Sequence, residues 1–138
     1  MTEIPVRRSL DLAVEVESIE LVLDALSAWW INVGDVDPRV RFGFDTAVIE
    51  IAGNVVEHAP AHRGPGRFSV ELTADARTVS ATVSDDADPV DVDLSAPTMA
   101  DVDQESGRGL ALARAGVDRL RYQRVGDRNV WRLESERA

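Results

Sequence analysis

Asp37 to His58 reads DPRVRFGFDTAVIEIAGNVVEH, and the spacing of its apolar residues decides how the rest of the chain must be arranged. Asp37 predicts an N-cap and Pro38 a first helical position, where a missing N–H costs nothing. The helix should run to about His58, because Pro60 and His62-Arg63-Gly64-Pro65-Gly66 read as a loop. At about 100° per residue, Val40, Phe44, Val48, Ile51 and Val55 share one face, and Ile49, Ala52 and Val56 cover a second flank. Such a helix is buried on most sides. What remains is a narrow polar strip of Glu50, Gly53, Asn54 and Glu57, in which Glu50 and Asn54, four apart, stack one turn from each other.

Working outward, Leu10, Leu12, Val14 and Val16 alternate, so Arg7 to Val16 is expected to be a half-buried strand. Ser18 reads as a helix start, followed by Ile19, Val22, Leu23, Leu26, Trp29 and Trp30 at helical spacing, with Gly34 as the stop. Beyond the central helix, Phe68, Val70 and Leu72 alternate, Asp75-Ala76-Arg77 turns the chain, and Val79, Ala81 and Val83 alternate again, the pattern of a hairpin. Asp85 to Glu105 holds eight acidic residues and no basic one, and its Pro89 and Pro97 predict a long loop of the kind that is usually functional. Gly107-Arg108-Gly109 is expected to turn into a third helix carrying Leu110, Ala113, Val117 and Leu120. Arg121 to Val125 and Asn129 to Glu134 then close the chain as a hairpin around Gly126-Asp127. The expected fold is α+β: a two-layer sandwich with a mostly antiparallel sheet and helices on one face, forming one domain over residues 1–138.

Composition narrows the chemistry. The 138 residues carry a formal net charge of -10, which argues against nucleic acid as a direct partner, since that binding rests on basic residues neutralising phosphates. All 15 basic residues are Arg, so a P-loop lysine, a kinase lysine on a strand and a Schiff-base lysine are excluded. Cysteine is absent, which removes thiolate nucleophiles, disulfides and cysteine zinc sites. No stretch has the apolar length of a membrane span and the start lacks a signal-peptide core, so a cytoplasmic protein is expected.

Three features point to chemistry. Glu50 and Asn54 place a proton acceptor and a carboxamide oxygen one turn apart, a pairing suited to a hard cation such as Mg²⁺; the plainer alternative is a solvated helix stripe. His58 at the helix end is more readily a satisfied structural histidine than a ligand. Val83-Ser84-Asp85-Asp86-Ala87-Asp88-Pro89 sets a carboxylate at a strand end, where it can accept from an exocyclic amine. Gly107-Arg108-Gly109-Leu110 opens a helix, offering bare backbone N–H groups to a phosphate. A short GxG is, taken singly, more often a tight turn.

Taken together and in order, Glu50-Ile51-Ala52-Gly53-Asn54, Asp85-Asp86-Ala87-Asp88-Pro89 and Gly107-Arg108-Gly109-Leu110 resemble the N, G1 and G2 boxes of the GHKL ATP-binding superfamily, with its Bergerat-type fold. The closest likeness is to the anti-sigma factor serine-protein kinases of the RsbW type. The resemblance implies ATP and Mg²⁺ as cofactors, Glu50 as general base toward a protein serine, Asn54 as a Mg²⁺ ligand and Asp85 as acceptor for the adenine amine. It implies that the segment from about Val92 to Glu105 is an ATP lid and that Gly107, Arg108, Gly109 and Leu110 line the nucleotide, Arg108 adding charge stabilisation. Ala87 stands where the family usually has glycine, and Asn129 where it often has threonine near the adenine. The implied partners are a sigma factor and a STAS-domain anti-anti-sigma protein, with homodimerisation for which Trp29 or Trp30 with the exposed edge of the first strand could serve; the two tryptophans read at least as well as core. The alternative function is a non-catalytic module that senses ATP, or ignores nucleotide, and acts by sequestration. A start at Met1 and an end just past the last strand lead us to expect a free-standing domain over a fragment of a larger regulator, such as the kinase module of a phosphatase or sensor. A sensor histidine kinase is not expected, because no dimerisation helix pair with a phosphoacceptor histidine precedes the box series.

Overall fold

The computed structural model describes residues 6–58, 66–89 and 105–138, without the side chains of residues 58 and 105–108. Its elements are β1 (Val6–Ala13), α1 (Glu17–Val33), α2 (Pro38–His58), β2 (Arg67–Ala74), β3 (Thr78–Asp85), α3 (Glu105–Gly116), β4 (Arg119–Val125) and β5 (Arg128–Glu136). The five strands form one sheet in the order β1-β2-β3-β5-β4, every neighbouring pair antiparallel. β3 therefore lies at the centre, and Asp85 at its end pairs with Asn129 at the start of β5.

Alternation sorts the sheet into two faces. Phe68, Val70 and Leu72 of β2, Val79, Ala81 and Val83 of β3, and Trp131 and Leu133 of β5 are buried under the helices. α1 packs on β1 and β2, α2 on β3 and β5, and α3 on α2 and β4. The opposite face is polar, with Ser69 and Ser84 hydroxyls 2.6 Å apart and Arg128 donating to Ser84. This is the two-layer α+β sandwich that the sequence pattern predicts.

α2 is the spine of the core, as its apolar surface requires: Phe44, Val48, Ile51 and Ala52 are fully enclosed. Asp37 caps it, Oδ1 accepting from the Arg39 amide at 2.9 Å. Trp29 and Trp30 belong to the core, each within 5.6 Å of the Phe44 ring centroid. Their indole N–H groups are satisfied inside it, Trp29 by the Val6 carbonyl at 3.1 Å and Trp30 by Asp45 Oδ1 at 2.7 Å. Of the two readings of these tryptophans, the structure selects the core and not an interface.

Three local expectations are corrected. β1 ends at Ala13, so Val14 and Val16 are not in the strand, and Val16 is 73% exposed. Ser18 is not a cap: α1 begins at Glu17, and the Ser18 hydroxyl instead donates 2.7 Å back to the Ala13 carbonyl, closing the β1–α1 connection. Gly107-Arg108-Gly109 lies within the opening turns of α3, not in a turn before it, and α3 stops at Gly116, leaving Val117 in the connector and Leu120 in β4. Glycines are poor helix formers, so tertiary packing on α2 sets this helix. Near the far end of that contact a Cβ on Gly43 or on Gly116 would collide with the carbonyl oxygen of the other, so the two backbones touch directly.

Candidate functional site

α2 carries Glu50 and Asn54 on the flank turned toward α3. Both side chains reach Gly109: a Cβ built there would stand 2.7 Å from Glu50 Oε2 and 3.7 Å from Asn54 Oδ1. Glycine at this position is thus what lets the opening of α3 approach the two polar side chains. Both residues are half-buried, and neither side chain makes a hydrogen bond or ion pair with a described residue. A carboxylate and a carboxamide held one turn apart beside helix-opening amides leave proton-accepting and metal-binding valences open. Among the described residues no three His, Cys, Asp or Glu side chains gather into a metal cage. The donor set present, one carboxylate and one carboxamide oxygen, is of the hard kind that Mg²⁺ takes, being commonly held by one or two protein oxygens together with phosphates and water. Leu110, next along, packs partly buried against the core. Gly107 is in α3, while the side chain of Arg108 lies outside the described residues, as do that of His58 and residues 92–104 of the lid expected from about Val92 to Glu105; Glu105 itself begins α3.

A second group of expected site residues lies at the rim of the sheet. Asp85 is 3% exposed and Asn129 1%, both on the helix-covered face. Asp85 Oδ1 accepts from the Ala87 amide at 2.8 Å, forming a side-chain-closed turn, and from Asn129 Nδ2 at 2.9 Å. Asn129 Nδ2 also donates to the Asp88 carbonyl at 3.0 Å. Its Oδ1 accepts from the Tyr122 hydroxyl and from Arg124 Nη1, the latter at 3.1 Å. Arg124 Nη1 donates as well to the Ala87 carbonyl at 2.7 Å. No non-glycine residue among those described has positive φ, so Ala87 makes this turn without the backbone freedom of the usual glycine.

Site residues expected from the sequence therefore fall into two groups, Glu50, Asn54 and Gly109 at the α2–α3 contact, and Asp85, Ala87 and Asn129 at the sheet rim. Tyr122 and Arg124 are additions. The signal that finds them is the hairpin register: the Gly126-Asp127 turn sets Arg124 opposite Asn129 and Tyr122 opposite Trp131, all on the inner face.

Residues 12–134 match the family model described as "Histidine kinase-like ATPase domain", and the chain belongs to that family. A crystal structure of the RsbU and RsbW domains of Rv1364c from Mycobacterium tuberculosis superposes with a TM-score of 0.65 at 21% identity, a likeness of fold. It covers 94% of this chain and 32% of that one, so the chain spans about a third of that protein's length. No curated protein matches the chain. No helix among the described residues is long and apolar enough to cross a membrane.

Proposed function

We propose that the chain is an ATP-binding anti-sigma regulatory factor with serine-protein kinase activity, which sequesters a sigma factor and phosphorylates a STAS-domain anti-anti-sigma protein. Membership of the histidine kinase-like ATPase family supports nucleotide binding, and the fold shared with a structure containing an RsbW domain supports the regulatory role. The single observation that carries kinase chemistry is Glu50, with no partner among the described residues, beside Asn54 and the opening of α3.

In this mechanism the Asp85 carboxylate accepts from the adenine amine and fixes the base. Gly107, Gly109 and Leu110 line the phosphates beside the opening of α3, where the helix dipole favours negative charge; open amides come from the first turn, while Gly109 and Leu110, beyond it, contribute close approach. A bound Mg²⁺, held by Asn54, would neutralise phosphate charge. Glu50 takes the proton of the incoming serine hydroxyl as its oxygen bonds the γ-phosphorus and the bond to the ADP leaving oxygen breaks. Arg108 stabilises charge on the transferring group. Positioning and electrostatics supply most of the acceleration in such transfers. The protein acts as a cytoplasmic homodimer.

The test is incubation with Mg-ATP and a cognate STAS protein. The chain should transfer phosphate to a serine, and Glu50→Gln should lower the rate about 10³-fold with fold and ATP affinity kept. Undiminished transfer by that variant removes Glu50 from the base role. Binding of ATP without any transfer leaves sequestration as the output.

A further inference from the structure

The hydrogen bonds around Asp85 do more than hold a turn. Its Oδ1 is saturated by two donors, the Ala87 amide and Asn129 Nδ2, while its Oδ2 has no protein partner. No buried side-chain polar atom among the described residues lacks a partner, so this unpartnered Oδ2 keeps an opening to solvent. The carboxylate is therefore held in one rotation, one oxygen turned into the protein and one presented outward.

What holds it is a chain of contacts from β4. Asn129 can donate to Asp85 only while its Oδ1 points the other way, and that orientation is set by the Tyr122 hydroxyl and Arg124. Arg124 also grips the Ala87 carbonyl at 2.7 Å, fixing the turn whose amide completes the Oδ1 pair. Tyr122 is in turn anchored by its ring, tilted against Trp131 at 4.7 Å between centroids.

We propose that Tyr122, Asn129 and Arg124 are positioning residues that determine base specificity by fixing which Asp85 oxygen faces the nucleotide and where it stands. This deepens the nucleotide-binding proposal and rests on it. A fixed acceptor meets the 6-amino group of adenine and opposes the 6-oxo group of hypoxanthine. A carboxylate free to swing reaches the neighbouring N1–H that hypoxanthine offers, and discrimination is lost. Buried polar groups that must be matched give a site its strongest discrimination.

The experiment measures binding of Mg-ATP and Mg-ITP, which differ at the 6-substituent and at the N1 proton that goes with it, to the full chain and to Tyr122→Phe, Arg124→Gln and Asn129→Leu. Tyr122→Phe deletes one hydroxyl and keeps the ring contact, so it remains informative if Asn129→Leu fails to fold. The unaltered chain should prefer ATP, and Tyr122→Phe and Arg124→Gln should each reduce the ATP-to-ITP affinity ratio several-fold, up to about tenfold, largely by improving ITP relative to ATP. A ratio that stays fixed while both affinities fall together overturns the proposal, because that is what a purely structural role produces. A chain that binds ATP and ITP equally well overturns it too, with nucleotide binding intact. Binding of neither overturns the nucleotide reading itself.

Discussion

The two ends of the proposed site are built on opposite terms. At the sheet rim, Asp85, Ala87, Asn129, Tyr122 and Arg124 are tied together by hydrogen bonds, so that of the Asp85 carboxylate only Oδ2 is left over. At the α2–α3 contact, Glu50 and Asn54 are placed by the helix and by the absence of a side chain on Gly109, with no hydrogen bond to a described residue. A recogniser of one rigid base gains from preorganisation, since little ordering remains to be done on binding. A centre that takes phosphates, a cation and a second protein needs its valences free. The contrast predicts that changes at the two ends fail differently, the rim in base selectivity and the helix contact in turnover.

After the loss expected of Glu50→Gln, the largest effect expected at the helix contact is that of Gly109→Ala. The added methyl would meet Glu50 Oε2 at 2.7 Å, and that atom is the tip of a flexible side chain able to move aside. The variant should therefore melt close to the parent while phosphotransfer falls roughly 10- to 100-fold, the scale of a misplaced catalytic group; an unchanged rate with a large loss of melting temperature would reverse this assignment. Gly43→Ala sharpens the same contrast from the structural side. Its methyl meets the Gly116 backbone, which cannot swing away, and denaturant unfolding should show a loss of about 1–3 kcal/mol.

A smaller effect is expected at Asp45, away from both ends. Burial pushes its carboxyl above the usual carboxylate value, against the lowering effects of the Trp30 indole N–H and the Arg41 guanidinium. A raised folded-state value means that Asp45 favours folding most below its unfolded value near 3.8 and loses that contribution as the pH rises through the folded value. At neutral pH the ionised group opposes folding. Asp45→Asn keeps an acceptor for Trp30 and should raise the melting temperature by a few degrees at neutral pH, with the gain vanishing in acid. The smallest effect concerns Asp75, whose exposed carboxyl is held below the usual value by the Arg77 and Thr78 amides. Asp75→Ala should cost a little stability at neutral pH and nothing once acid has protonated the parent's carboxyl, because this contribution is present above the unfolded value and lost as the pH falls through the folded one.

Much of this was legible in the residues. Asp37 and Pro38 announce α2 because capping is local chemistry, and the β2–β3 hairpin follows from strict alternation around Asp75. Glu50 and Asn54 stand out because a polar strip on so apolar a helix is conspicuous. What escaped depended on partners that the repeat of apolar residues does not encode, one of them close in the chain and the others far. Val14 and Val16 continue the alternation of β1, yet Ser18 reaches back to the Ala13 carbonyl and the strand ends there. Gly107 and Gly109 read as a turn, but the close approach of Glu50 that glycine permits lies within a helix. Tyr122 and Arg124 look like ordinary alternate residues of a strand; their meaning appears once register sets them across from Trp131 and Asn129.

The central claim, that Asp85 and the α2–α3 contact form two ends of one ATP site, is tested most directly by calorimetric titration of the chain and of Asp85→Asn with ATP, with and without magnesium. Saturable binding of Mg-ATP is expected, much weaker without magnesium because eight acidic and no basic residues lie between Asp85 and Glu105. Binding should be lost in Asp85→Asn. No heat at millimolar Mg-ATP, or an affinity unchanged by the substitution, would contradict the account.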